Sequence, residues 1–126
     1  MKLLAAFMVF VVAALHGGFL VLEMFLWQHP LGMSVFSLNP AEAAQTATLA
    51  ANQGLYNGFL AAGLLWGLLR GSREFILFFL LCVMVAGIYG AMTVNVSVFF
   101  IQATPALIAL ILNLLYGKPK ATEPAP

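Results

Sequence analysis

Two residues suited to acid–base chemistry, His16 and Glu23, stand inside the first long apolar stretch of this 126-residue chain. They are seven positions apart, about two helical turns and about 10 Å, so a helix carries both on one face. A carboxylate within a bilayer costs roughly 2.5–3.5 kcal/mol on insertion scales, and such groups face an interior or a cavity. A second stretch holds Asn52, Gln53, Tyr56 and Asn57. Helical spacing gathers Asn52 or Gln53 with Tyr56 and Asn57 on one broad stripe. Gln102 lies near the start of the last apolar stretch. The candidate ligand-binding set is therefore Glu23, His16, Asn52, Gln53, Tyr56, Asn57 and Gln102. Three readings of it stay open. It is a ligand pocket with proton-coupled transport through Glu23 and His16, an intramembrane acid–base enzyme acting on a lipidic substrate, or a structural hydrogen-bond network between helices.

Other chemistries find little support. His29 falls in a connection, no HxxxH or HxxE pair exists, and the chain contains no Asp, so no metal site and no cofactor are implied. There is no glycine-rich phosphate loop and no serine-nucleophile motif. The single cysteine, Cys82, sits in an apolar segment and reads as a small core residue.

These residues must be positioned by membrane helices. The composition is 63% hydrophobic and 7% charged, with a mean hydropathy of +1.05, whereas soluble domains carry about a quarter charged residues. Four apolar stretches predict an all-α integral membrane four-helix bundle with spans at about 3–27, 49–69, 75–94 and 99–116, forming one domain over residues 1–116. The run that follows Lys2 exceeds the roughly 7–15 residues of a cleavable signal core, so a retained span is expected. Residues 28–39 read as a loop. Asn39, Pro40 and Glu42 form a helix start with a capping box, and the helical pattern from there continues through 69, about 45 Å. Gly71 and Ser72 make a tight turn, and Thr104-Pro105 lies about one turn inside the last span as a kink or a late helix start. Residues 117–126 are Pro-rich without apolar content and are expected to form a disordered cytoplasmic tail.

The five cations, Lys2, Arg70, Arg73, Lys118 and Lys120, fall before the first span, between the second and third, and after the fourth. The positive-inside rule then puts both termini in the cytoplasm. With that orientation, polar groups from all four spans gather in the outer half of the bilayer, while the inner half holds little beyond Cys82 and Asn113. Expected partners are the lipid bilayer and a small-molecule or lipid ligand. The net charge of +1 gives no basis for nucleic-acid binding. The bias allows a parallel homo-oligomer and disfavours an antiparallel dimer. Small residues at four-residue spacing, such as Gly54 and Gly58 or Gly63 and Gly67, permit close helix approach within the bundle or between copies.

The motifs LEMFLW (22–27) and AANQGLYNG (50–58), the stretch 59–64, and QATPA (102–106) together resemble a family of small membrane proteins known as domain of unknown function 1304. The resemblance covers nearly the whole chain. It implies a four-helix, mainly bacterial membrane protein and carries no activity, substrate or cofactor; the expected location is the bacterial cytoplasmic membrane. Relatives often have an acidic residue before the histidine, where Leu15 stands, and basic residues in the first loop, where this chain reads Pro30-Leu31-Gly32-Met33-Ser34. The likeness to small multidrug exporters is architectural only.

Overall fold

The computed structural model of the protein describes residues 2–116, so the tail expected at 117–126 lies outside the described residues. Every regular element is helical: α1 (Lys2–Met24), α2 (Pro30–Phe36), α3 (Pro40–Arg70), α4 (Arg73–Thr93) and α5 (Thr104–Tyr116), the last preceded without a break by a π-helical turn, Phe99–Ala103. Among the described residues, three helices are long and apolar enough to cross a membrane: α1, α4 and the continuous segment Phe99–Tyr116. The 31-residue α3 is the longest element, and its row of Asn52, Gln53 and Asn57 lowers its apolar content.

The helix ends follow from local chemistry. Asn39 accepts a bond from the Glu42 N–H at 2.9 Å, and the Glu42 carboxylate accepts one from the Asn39 N–H at 3.0 Å, so the expected capping box forms. Gly71 ends α3 at φ 60°, a left-handed position that glycine adopts without steric cost. Ser72 then caps α4. Residues 28–39 are not simply a loop. Pro30 at the first position and His29 as the cap start a seven-residue helix there. That helix tucks under the end of α1: a Cβ on Gly32 would stand 1.8 Å from the Leu26 carbonyl oxygen, so only glycine fits.

At Pro105, the missing N–H and the ring prevent ordinary helical bonding to the carbonyl of Ile101. The backbone widens into a π-helical turn. The N–H of Thr104 reaches back to the Phe99 carbonyl, a five-residue step, and the Thr104 hydroxyl donates to the same oxygen at 3.3 Å.

The four long helices form a closed antiparallel ring, α1 against α3, α3 against α4, α4 against α5, and α5 back against α1. Val9, Val12, Ala13, Leu64, Leu80 and Ala106 are among the buried core. The glycines face neighbours within the chain: Gly54 and Gly58 meet α1, Gly63 and Gly67 meet α4, and Gly87 and Gly90 meet the region around Val98 and Ala103. Large apolar side chains cover the outside, with Leu3, Leu69 and Met92 at least 80% exposed. An apolar exterior of this extent matches contact with lipid rather than water.

Candidate functional site

The upper half of the α1–α3 seam holds the central polar contact. Gly54 lets the two helices approach until a Cβ there would lie 2.9 Å from Glu23 Cβ and 2.8 Å from Met24 Cγ. One turn further along α3, Asn57 is buried and donates from Nδ2 to Glu23 Oε2 at 2.7 Å. A bond this short to a carboxyl oxygen belongs to the stronger class of side-chain hydrogen bonds. Glu23 itself is half-buried. Its second oxygen accepts nothing from the described residues and is not enclosed.

Deeper on α1, His16 is 1% exposed. Its Nδ1 lies 2.9 Å from the Val12 carbonyl oxygen. A carbonyl only accepts, so Nδ1 carries the hydrogen. That leaves Nε2, which is buried and has no hydrogen-bond partner among the described residues. The Phe19 ring meets the imidazole edge to face, centroids 6.0 Å apart. Because Gly58 packs on Leu20, the antiparallel register carried one turn inward sets His16 opposite Ala61, a buried alanine that offers no polar atom.

On the other side of α1, Asn113 donates to the Ala5 carbonyl at 3.5 Å, which aligns α5 with α1. Carried along both helices, that alignment sets Gln102 at about the depth of His16. Gln102 is half-buried and bonds to no described residue. Asn52, Gln53 and Tyr56 lie on the outward side of α3 and are exposed, Tyr56 beside Phe59 with ring centroids 6.0 Å apart. The seven candidates therefore divide into a bonded pair, Glu23 and Asn57; a deeper level, His16 and Gln102; and an exposed row on α3.

At the Glu23 end of the ring, α2 follows α1. Trp27 donates from Nε1 to the Thr46 hydroxyl at 3.0 Å and packs against Phe36, ring centroids 4.7 Å apart. Among the described residues there is no cluster of three or more His, Cys, Asp or Glu able to hold a metal ion. A second polar region, absent from the candidate set, occupies the opposite end of the ring. There Lys2, Arg73, Asn113 and Tyr116 line a cavity of about 250 Å³. In the sequence Lys2 and Arg73 mark orientation, and Asn113, an amide in an otherwise apolar half-span, is the one signal that this end is polar.

A family profile described as "Protein of unknown function (DUF1304)" matches residues 10–114. The uncharacterized protein YpaA of Lactococcus lactis subsp. lactis (strain IL1403) is 30% identical over 94 residues, covering 71% of this chain and 79% of that protein. No solved structure matches the chain. A profile match over most of the length, together with this relative, settles the affiliation: the chain belongs to the DUF1304 family of proteins of unknown function.

Proposed function

We propose that all four long helices cross a bacterial cytoplasmic membrane, with both termini inside, and that the α1–α3 seam binds a small polar molecule. In this reading α3 is the fourth span, its polar row tolerated because Asn57 turns inward onto Glu23. The ligand is one that donates hydrogen bonds or carries positive charge. It engages the open oxygen of Glu23, with His16 beneath as the group that exchanges a proton when binding is coupled to transport.

The observation that carries this reading is the His16 Nε2 atom, buried and without a partner among the described residues. A purely structural network satisfies its buried polar atoms, and an exception calls for a ligand, a water or a chemical role. The close packing at Gly54 favours a second reading in which Glu23 and Asn57 only clamp α1 to α3.

One comparison separates the two. Wild type and Glu23→Gln are purified in mild detergent, their unfolding is followed, and extracted small molecules are identified by mass spectrometry. Glutamine can still accept from Asn57, so the ligand reading expects a folded variant that has lost a molecule retained by wild type. Proteoliposomes loaded with a pH-sensitive dye test the coupling, and the same variant is expected to abolish ligand-driven proton movement. Loss of folding in Glu23→Gln, with no molecule retained by wild type, overturns the ligand reading in favour of the clamp.

A further inference from the structure

We propose that the cavity at the inner end of the helix ring binds an anionic phosphate group, as carried by the head group of an acidic phospholipid or by free phosphate. It is lined by residues of all four long helices and their connections, among them Lys2, Gly71, Arg73, Asn113 and Tyr116. None of the lining residues is acidic, and Glu74, next to Arg73 in the chain, is exposed and does not line it. The amino-terminal ends of α1 and α4 both point here, and helix starts favour negative charge.

The competing negative ends are in part occupied. In the last turn of α3, the Gly67 and Leu68 carbonyls accept from the Gly71 N–H, and Gly67 also accepts from that of Ser72. Those of α5 accept from Arg73, Nε to Asn113 at 3.3 Å and Nη2 to Leu114 at 3.5 Å. These two bonds orient the guanidinium, whose Nη1 makes no hydrogen bond to a described residue. A planar fork held in this way suits a phosphate oxygen pair, and the Lys2 ammonium adds a second, mobile charge.

Asn113 sharpens the chemistry. Its amide nitrogen is spent on the carbonyls of Ala109, at 2.8 Å, and Ala5, at 3.5 Å. Its amide oxygen accepts nothing from the described residues. Two cations beside one unfilled acceptor fit a phosphate bearing a neighbouring hydroxyl. The volume, about 250 Å³, falls below the roughly 300–1,000 Å³ of pockets that enclose drug-sized molecules. A head group fits while acyl chains remain among the exposed apolar side chains outside. The inner end is also the side that the positive-inside rule assigns to the cytoplasm, where acidic lipids supply a negative surface.

The test uses the full chain in nanodiscs containing phosphatidylglycerol and phosphatidylcholine, with retained lipid read by native mass spectrometry. Phosphatidylglycerol is expected to be retained preferentially. Removing one cation near a membrane surface changes affinity about fivefold, so Lys2→Gln is expected to weaken retention by that factor. Arg70→Gln, which removes a charge at the same end from a residue outside the cavity, is expected to leave it within twofold. Arg73→Gln also frees the α5 carbonyls, so the exposed Lys2 position keeps the test decisive if that variant misfolds. Displacement of the lipid by inorganic phosphate supports a site for the phosphate group from either source, and its failure to displace supports the lipid alone. Equal retention of both lipids without phosphate binding overturns the proposal, as does an equal loss in Lys2→Gln and Arg70→Gln. Glu23→Gln is expected to retain the lipid normally, which keeps this outcome separate from that of the outer seam.

Discussion

At the scale of single residues, Glu23, Asn57 and His16 make different demands on the fold. The Asn57–Glu23 bond has the geometry of a strong contact, yet interhelical hydrogen bonds in a membrane protein average about 0.6 kcal/mol with a maximum near 1.7. A double-mutant cycle of Glu23→Ala and Asn57→Ala, each of which removes the bond, is therefore expected to give a coupling of about 0.5–1.7 kcal/mol when unfolding is followed in detergent. A larger value would mark the pair as the main tie between α1 and α3. His16 behaves in the opposite sense. Its Nε2 pays for burial without a bond, and replacing such a group by an apolar one of similar shape is nearly neutral or stabilising. His16→Leu is expected to leave stability unchanged or higher by about 1 kcal/mol; a loss above about 2 kcal/mol in the same unfolding measurement would contradict the orphaned nitrogen. Both residues were legible in the sequence, since an acid and an imidazole inside an apolar run are conspicuous. Their partners were less so. Helical spacing placed Tyr56 and Asn57 on one stripe, but only the rotation of α3 against Gly54 decides that Asn57 turns in and Tyr56 turns out.

At the scale of helices, close approach is concentrated where side chains are missing. A methyl at Gly54 would overlap Glu23 and Met24, and overpacking of this kind costs about 1–3 kcal/mol. Gly17 and Gly18 have nothing within 4 Å of a built Cβ, and glycine within a helix is disfavoured by about 0.5–1 kcal/mol relative to alanine. Gly54→Ala is expected to lower thermal stability while Gly18→Ala raises it, an opposite pair readable in one melting experiment. The four-residue spacing announced these contacts but left open whether they join helices of one chain or of two; the described packing places Gly54, Gly58, Gly63 and Gly67 against α1 and α4. Capping signals located both ends of α3 from Asn39, Glu42 and Gly71 because these act through neighbours in sequence. The α2 helix was missed for a complementary reason. Its seven residues have no room for an amphipathic repeat, and its stability comes from the Trp27–Phe36 contact and the fit of Gly32 against Leu26.

At the scale of the molecule, orientation is the quantity most open to test. In a protein with Cys82→Ala, a membrane-impermeant thiol reagent is expected to label Ser97→Cys in intact cells and Glu74→Cys only after permeabilisation; the reverse pattern would invert the proposed topology. The cation count could suggest sidedness, since charge bias needs no three-dimensional information. It could not reveal that Lys2 and Arg73, distant in sequence, border one cavity, because that follows from ring closure. The same closure has a consequence for the order of assembly. Because α5 returns to α1, α1 cannot complete its packing until α5 has been made, and before then its main neighbour is α3. Helices α1 and α5 also have their ends at the cavity side by side, so a short linker could join them and new ends could be opened at the Gly71-Ser72 turn on the same face. Such a permuted chain would begin with α4, keep every helix in its present direction, and bring α1 and α5 together as sequence neighbours.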